Sequence, residues 1–233
     1  MKVVECKGLR KQYGSKVAVE NLDVDLESGK IIGLLGPNGC GKSTFMKLLT
    51  GLLVPTGGEI TVCGYPRSEA TNSFISYLPE RTYIGGRKKI KAMLEYFEEF
   101  YPDFDKNKAY SMLESLHLDP ESHISSLSKG NREKVQLVLV MARNAQIYLL
   151  DEPIAGVDPA AREFILQTIV GNLNPGASVL ISTHIIQDVE PILDEYIFVN
   201  YGGHIVGRGT AKELMEAEGK TVDEKFREVF RYA

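Results

Sequence analysis

Little cysteine, no excess of basic residues and no long apolar run mark this sequence of 233 residues. Its 3 cysteines, Cys6, Cys40 and Cys63, are odd in number and widely spaced, which argues against a disulfide framework and a metal cluster. No apolar run approaches the ~18 residues that span a membrane, and the N-terminus lacks the long apolar region of a signal peptide. We therefore expect a soluble chain in a reducing cytoplasm.

The charge balance argues against an electrostatic nucleic-acid binder. Lysine and arginine number 27 against 31 aspartates and glutamates, which leaves a formal net charge of −4 and a pI near 5.7. Nucleic-acid-binding domains are usually basic overall or carry a strong basic stripe. No nucleic-acid partner is therefore expected, and 233 residues suffice for one large α/β domain with lobes.

A glycine-rich segment carries the most specific chemistry of the chain. Residues 36–43 fill every fixed position of the phosphate-binding pattern G-x-x-x-x-G-K-[ST], between an apolar run at 30–35 and helical spacing at 45–49. Glycines let backbone N–H groups turn onto phosphate oxygens, Lys42 reaches the outer phosphates, and Ser43 offers a hydroxyl to Mg²⁺. The alternative is a turn that merely joins a strand to a helix, and each of the later motifs argues against it.

Two adjacent carboxylates follow a second apolar strand, which is predicted at 146–150. In an open α/β sheet, ligands gather at the carboxyl ends of strands, so Asp151 and Glu152 are expected beside a metal nucleotide. Asp151 suits Mg²⁺, and Glu152 is placed to orient or deprotonate an attacking water. A surface turn would leave unexplained why acids follow so apolar a strand.

Several polar positions stay ambiguous when each is taken alone. Tyr13 stands beside a turn glycine, where its ring either packs or stacks on a flat base, and His184 follows a predicted strand at 178–183. The polar loop at 125–131 precedes a predicted helix at 132–142 and is either an anion site or an ordinary serine cap. For Asp158 and Pro159, a helix start is a sufficient explanation.

Periodicity predicts the remaining elements. Residues 3–35 favour an antiparallel β lobe, further strands are expected at 59–63 and 72–78, and residues 87–118 favour a mostly helical insertion. A hairpin is expected at 198–206 around two glycines, and closing helices at 211–230. The basic run at 87–89 is interpreted as solvated surface.

In this order the motifs resemble the nucleotide-binding subunit of ATP-binding cassette (ABC) transporters, along essentially the whole chain. The resemblance implies an α/β fold, with a P-loop ATPase core that contains a mostly parallel sheet, an antiparallel β lobe and a helical subdomain. Residues 1–233 would be a single domain, with the lobe and core at 1–80 and 131–233 and the helical subdomain at about 81–130. The Leu-Pro-Glu at 78–80 is similar to a drug-export-like branch.

The resemblance also assigns the residues that would bind ATP. Tyr13 would stack on adenine, Glu80 stands at the Q-loop position, and Ser128 and Gly130 belong to the signature loop. The phosphate-binding, or Walker A, positions would be Gly36, Asn38, Gly39, Cys40, Gly41, Lys42, Ser43 and Thr44. Because Cys40 lies inside this loop, we expect thiol reagents to inhibit ATPase activity and ATP to protect it.

The catalytic and metal-binding roles follow from the same resemblance. Glu152 would be the catalytic base or water-positioning residue, and Lys42 and His184 the other catalytic residues, with His184 sensing the γ-phosphate. Residues 155–158 would form the D-loop. The implied cofactor of ATP hydrolysis is Mg²⁺, held by Ser43, Glu80 and Asp151.

Three positions depart from the family pattern. Glu80 replaces the usual glutamine and cannot donate a hydrogen bond, although its carboxylate remains a good ligand for Mg²⁺. Lys129 and Asn131 replace a glycine and the glutamine of the signature loop. Ala155 replaces the usual D-loop serine and so removes one hydroxyl from a contact between subunits.

The resemblance implies partners as well as chemistry. Two cassettes, identical or homologous, would close head to tail over ATP, and a separate membrane permease, of an exporter, would use the energy at the cytoplasmic face. The main alternative is a soluble mechanical ABC-type ATPase without a permease. A phosphate-loop GTPase is disfavoured because residues 107–110 lack the aspartate of Asn-Lys-x-Asp, and Glu152 argues against a module that binds nucleotide without catalysis.

Overall fold

The computed structural model describes residues 1–231, except for the side chain at position 160, and contains two β-sheets. The first is antiparallel, in the order β2-β1-β4-β5. Along its second strand, apolar side chains such as Leu22, Val24 and Leu26 alternate with exposed polar ones, as expected of a sheet with one covered face. Its strands are β1 (Lys2–Tyr13), β2 (Lys16–Glu27), β4 (Gly57–Val62) and β5 (Tyr65–Pro66).

The second sheet is mostly parallel and has the order β10-β9-β3-β8-β7-β6, with only β10 antiparallel to its neighbour. The middle strands are buried along their whole length, which explains why their sequences are almost continuously apolar. Their carboxyl ends meet at one edge. The strands are β3 (Ile31–Leu35), β6 (Ile75–Leu78), β7 (Ile147–Asp151), β8 (Ser178–Thr183), β9 (Glu195–Asn200) and β10 (His204–Gly209).

Eight α-helices of the described residues surround these sheets. Several start at the side-chain caps that their sequences offer: Asp158 accepts a hydrogen bond from the N–H of Ala161, and Ser128 accepts one from the N–H of Asn131. In residues 1–231, no helix is long and apolar enough to cross a membrane. The helices are α1 (Lys42–Leu49), α2 (Ile90–Phe100), α3 (Lys106–Ser115), α4 (Lys129–Met141), α5 (Pro159–Gly171), α6 (Ile186–Val189), α7 (Ala211–Glu218) and α8 (Val222–Val229).

The expected fold class is confirmed, with a mostly parallel sheet, an antiparallel sheet and helices in one α/β chain. The hairpin at 198–206 also forms, as β9 and β10 around glycines with φ of 80° and 75°. The division into a core and a helical subdomain at about 81–130 stays a prediction. The last two positions of the predicted single domain, 232 and 233, lie outside the described residues.

The strand predicted at 72–78 is wrong at its start, because residues 70–74 form a 3₁₀ turn and the strand begins at Ile75. Local side-chain hydrogen bonds favour the turn. The Thr71 hydroxyl accepts from the N–H of Ser68 and donates to its carbonyl, and Arg67 binds the side chains of Thr71 and Asn72. Helix α4 likewise starts three residues before the predicted 132, because its cap is Ser128.

Candidate functional site

The glycine-rich loop joins β3 to α1 at the carboxyl edge of the parallel sheet, and two of its glycines are required by their surroundings. A Cβ at Gly36 would lie 2.2 Å from the carbonyl oxygen of Val199. At Gly41, φ is +111° and a Cβ would lie 2.5 Å from the carbonyl oxygen of Ala18. Only glycine fits either position without moving the backbone.

The loop leaves donors free at the start of α1. Within residues 1–231, the backbone N–H groups of Gly39, Gly41, Ser43 and Thr44 donate to no protein acceptor. The Lys42 side chain is almost fully buried, and its Nζ donates to the carbonyl oxygens of Gly36 at 2.7 Å and Pro37 at 3.1 Å. Free N–H groups, the positive end of the helix dipole and a held ammonium make this loop a cradle for phosphate.

Asp151 lies at the end of β7, and two hydroxyls donate to one of its carboxylate oxygens. Ser43 donates to Asp151 Oδ1 at 3.0 Å, and Ser182 of the neighbouring strand β8 donates to the same oxygen at 2.6 Å. Asp151 is 1% exposed, so these hydrogen bonds hold a buried carboxylate in one orientation. Ser43 and Asp151, 108 residues apart in sequence, thus form a cluster of hard oxygen ligands.

Glu152 is held in a conformation that few non-glycine residues adopt. Its φ is +52°, in the left-handed region, and its N–H donates both to the carbonyl oxygen of Ser182 at 3.0 Å and to its hydroxyl at 3.1 Å. Its carboxylate lies 3.0 Å and 3.1 Å from Nδ1 of His184, and 3.9 Å from Nζ of Lys42. Because a carboxylate only accepts, this contact requires Nδ1 of His184 to be the donor.

These residues share an open cleft with an empty volume of about 1150 Å³. Tyr13 stands at one end of it, 44% exposed, with Lys11 Nζ 5.1 Å from the ring centroid. Of the residues singled out from the sequence, the cleft is lined by Tyr13, Asn38, Gly39, Gly41, Lys42, Ser43, Thr44, Glu80, Glu152 and His184. The structure therefore brings together residues from five separate stretches of the chain.

Ser128 and Gly130 do not line this cleft. They lie exposed at the start of α4, where Ser128 caps the helix. Lys129 is 75% exposed along its side chain, and its Nζ is 3.6 Å from where a Cβ at Gly156 would be. Lys129 and Gly156 are therefore neighbours on one exposed surface, and Ala155, beside Gly156, also lines the cleft of the phosphate cradle.

The predicted thiol sensitivity of Cys40 does not fit its environment. Its side chain is fully buried, with Sγ against the backbone of Gly36, and burial raises the pKa of the thiol. A high pKa leaves little thiolate at neutral pH, and a buried sulfur is closed to reagents. Cys40 therefore supports the loop from beneath, without facing the cleft.

The site fits ATP and Mg²⁺ in its chemistry. The cradle has N–H donors and a lysine for phosphates, and Ser43 and Asp151 supply the oxygens that Mg²⁺ prefers. Within the described residues, no group of three or more His, Cys, Asp or Glu residues could hold a metal by itself. That is consistent with a cation that binds through one or two protein oxygens, phosphates and water.

Two contributors to the site were missed in the sequence. Ser182 binds both Asp151 and the N–H of Glu152, and a serine inside an otherwise apolar strand was the available signal. Tyr77 has a buried hydroxyl without a hydrogen-bond partner in the described residues, and its pKa is raised by burial and then by the nearby charge of Asp151. No pattern in the sequence pointed to Tyr77.

Comparisons with known proteins agree with this geometry. The family model described as ABC transporter matches residues 19–155. The lipopolysaccharide export system ATP-binding protein LptB of Haemophilus influenzae is 31% identical over 232 residues, which cover 94% of this chain and 95% of that protein. Nod factor export ATP-binding protein I of Cupriavidus pinatubonensis is 28% identical over 224 residues, which cover 93% of this chain and 69% of that protein.

A solved structure, titled an ATP-binding subunit of an ABC transporter, superposes with a TM-score of 0.87 at 26% identity, and covers 98% of this chain and 99% of its own. The family model spans more than half of the chain and includes the phosphate loop and the paired acids. The chain therefore belongs to the ABC transporter family, as an ATP-binding subunit that hydrolyses ATP.

Proposed function

We propose that this subunit powers a separate membrane permease, that transport runs outward, and that Glu152 is the residue on which hydrolysis depends. The export direction is supported by the names of two relatives, Nod factor export ATP-binding protein I and the lipopolysaccharide export protein LptB. In this proposal the chain binds peripherally at the cytoplasmic face of the cell membrane. The observation that carries the catalytic part is the Glu152 carboxylate, held by His184 next to Lys42.

Substrate binding uses the cradle described above. Tyr13 stacks on the adenine, the free N–H groups of the loop and the Lys42 ammonium bind the phosphates, and the remaining loop residues shape the backbone that presents them. Ser43, Asp151 and Glu80 would hold Mg²⁺, which would neutralise charge on the phosphates. Phosphoryl transfer needs positioning and charge neutralisation more than covalent chemistry, and these residues supply both.

Glu152 activates the attacking water. Its carboxylate accepts the proton of the water as the new oxygen–phosphorus bond forms and the bond to the leaving ADP oxygen breaks. Its φ of +52° and its two contacts to Ser182 fix where the carboxylate points, and His184 holds it from the solvent side. Positive charge on Lys42 stabilises the negative charge of the transferred group.

A second cassette completes the site. Ser128 and Gly130 lie on an exposed helix start outside the chain's own cleft, so their N–H groups are available to a nucleotide held by another chain. Lys129 adds a cation to that surface, where most family members have glycine. We infer a head-to-tail dimer in which each ATP lies between the phosphate loop of one cassette and the signature loop of the other.

The permease is proposed to bind a groove beside α2. The groove has an empty volume of about 1730 Å³ and is lined by exposed aromatic side chains, Tyr83, Tyr96 and Phe100, with Lys47 and Lys88 at its margins. Exposed aromatic patches with a polar rim are typical of protein interfaces. Tyr83 follows Glu80 by three residues, so a helix of the permease in this groove would contact the segment that leads to the metal site.

The catalytic proposal is tested with Glu152→Gln. The amide cannot accept a proton, so we expect kcat to fall by roughly 10²-fold or more while ATP still binds. Light scattering with and without Mg-ATP then shows whether the arrested chain dimerises. Glu163→Gln, an exposed acid on α5, is the matched control and should keep full activity and stay monomeric after turnover.

Each outcome has a distinct meaning. Hydrolysis by Glu152→Gln at the unaltered rate would refute the role of Glu152. An ATP-dependent dimer would support paired sites in a homodimer. A persistent monomer that binds ATP would refute the homodimer and direct the search to a different cassette or to the permease as the partner.

A further inference from the structure

Gln136 is the one buried amide in a helix segment that is otherwise apolar. It lies on α4, about two turns after the signature loop, and is 2% exposed. Its neighbours on the helix, residues 135 and 137–141, are all buried apolar side chains. Burying an amide among such side chains is unfavourable unless it forms hydrogen bonds, so its partners indicate why it is there.

Both partners of Gln136 belong to the segment that carries Glu80. Its Oε1 accepts from the N–H of Tyr83 at 3.0 Å, and its Nε2 donates to the carbonyl oxygen of Pro79 at 3.5 Å. Apart from the sheet ladder, the described residues make no other hydrogen bond to the backbone of residues 79–83. One side chain therefore holds the chain on both sides of Glu80.

The same amide lines a small pocket together with Glu80, Asp151 and Glu152. We propose that Gln136 is a positioning residue, which fixes the Pro79–Tyr83 backbone to α4 and so sets where the Glu80 carboxylate stands relative to Mg²⁺. Because α4 begins at the loop that holds Ser128 and Gly130, the hydrogen bonds of Gln136 link that loop to the Glu80 segment through one helix. The inference rests on the proposed role of Glu80 as a metal ligand and deepens it.

The test uses Gln136→Met, which keeps the length of the side chain and removes both hydrogen bonds. Ser76→Ala is the matched control, because the buried Ser76 hydroxyl donates to the Val140 carbonyl on the same helix at 2.8 Å and forms no hydrogen bond with residues 79–83. In the full chain, the ATP dissociation constant is measured in EDTA and in excess Mg²⁺. The readout is the dissociation constant in EDTA divided by the dissociation constant in Mg²⁺. This ratio isolates the contribution of the metal from binding of the phosphates.

We expect Gln136→Met to lower this ratio by about fivefold, the effect of losing one net hydrogen bond, with little change in EDTA. Ser76→Ala should leave the ratio unchanged, even if both variants unfold at a lower temperature. Glu80→Ala should also lower the ratio, and adding Gln136→Met to it should have no further effect. Amide exchange at Tyr83 should be faster in Gln136→Met and unaltered in Ser76→Ala.

Different results would refute the metal role of Glu80 and the positioning role of Gln136. If Glu80→Ala leaves the ratio unchanged, the metal role of Glu80 is wrong, and the role of Gln136 falls with it. If Glu80→Ala lowers the ratio but Gln136→Met does not, or if Ser76→Ala lowers it equally, Glu80 keeps its role and only the positioning by Gln136 is refuted. Additive effects of Gln136→Met and Glu80→Ala in the double variant would also refute the positioning role of Gln136.

Discussion

At the scale of single residues, the surroundings decide what a side chain does. Three serines show this: Ser43 and Ser182 both donate to Asp151, whereas Ser128 caps a helix on an exposed surface. A hydroxyl can donate and accept, so its role follows from which partner the fold brings near. Ser182 has the larger structural task, because it also holds the N–H of Glu152 in a left-handed conformation.

The cysteines allow a prediction at this scale. Cys6 and Cys40 are buried, and burial raises the pKa of both thiols, that of Cys6 to about 12, whereas Cys63 is partly exposed, with a pKa also raised by burial. Since burial closes the sulfurs of Cys6 and Cys40 to the reagent, we expect iodoacetamide to modify the partly exposed Cys63 first and the other two slowly. Peptide mass spectrometry over time gives the order.

The control for this experiment is the denatured chain, in which all three thiols should react alike. ATPase activity is measured on the same samples and should persist after Cys63 is modified. Modification of Cys40 before Cys63, with loss of activity that ATP prevents, would contradict the burial argument and restore the expectation drawn from the sequence.

At the scale of elements, α2 buries one face and exposes aromatic side chains on the face next to it. Ile90, Leu94 and Phe97 are buried against the core, whereas Tyr96 and Phe100 face the groove and stack with ring centroids 6.0 Å apart. The helical spacing of the apolar residues accounts for the buried face. The rings of Tyr96 and Phe100 touch Phe97 and Tyr101 at one edge, yet they stay 48% and 63% exposed, and we assign this exposed aromatic surface to the permease.

We therefore expect Phe100→Asp to abolish binding to the permease while ATP binding stays within about twofold, because an exposed position tolerates charge but a buried interface does not. Phe100 is 63% exposed. The control is Val54→Asp, at a position 75% exposed that lines a different surface groove. Co-purification with the co-expressed partner permease measures the effect.

If Phe100→Asp co-purifies as well as the unaltered chain, or if Val54→Asp is equally impaired, the groove beside α2 is not the docking surface. If no membrane protein binds the unaltered chain, the permease itself is in question, and the soluble mechanical ATPase becomes the better description. ATP affinity, measured in each variant, shows whether the fold of the site has survived.

At the scale of the whole molecule, Arg143 joins the helical region to the sheet. The guanidinium binds Asp103, between α2 and α3, at 3.0–3.2 Å, and donates to the carbonyl oxygen of Ile75 at the start of β6 at 2.7 Å. Its carbon Cζ lies 4.2 Å from the centroid of the Tyr101 ring. Arg143 is 6% exposed, so these contacts are little screened by water.

Replacing Arg143 by Met should lower the free energy of unfolding by about 2–4 kcal/mol, since it leaves the carboxylate of Asp103 and a buried carbonyl without partners. Urea denaturation followed by circular dichroism gives the value. The matched control is Lys106→Met, which breaks the more exposed ion pair of Lys106 with Glu98 and should cost less than about 1 kcal/mol. Equal losses in the two variants would contradict the role given to Arg143.

The phosphate loop, the paired acids at 151–152, most strands and helices, and the α/β class of the fold could all be predicted from the sequence. The reason is that these features depend on residues close together in the chain: the loop needs glycines and a lysine at fixed spacing, and helices and strands need apolar residues at their own period. The 3₁₀ turn at 70–74 escaped because local hydroxyl hydrogen bonds competed with the strand pattern.

Which distant residues meet depends on the packing of the folded chain. This packing placed Ser182 on Asp151, 31 residues away, put Gln136 across the Glu80 segment more than 50 residues before it, and buried Cys40 beneath the loop. Such contacts depend on the order of strands in the sheet and on how a helix packs against it, and neither leaves a periodic signal in the chain. The residues needed for the chemistry can therefore be identified from the sequence. The residues that hold them in place are identified only from the packing between distant segments.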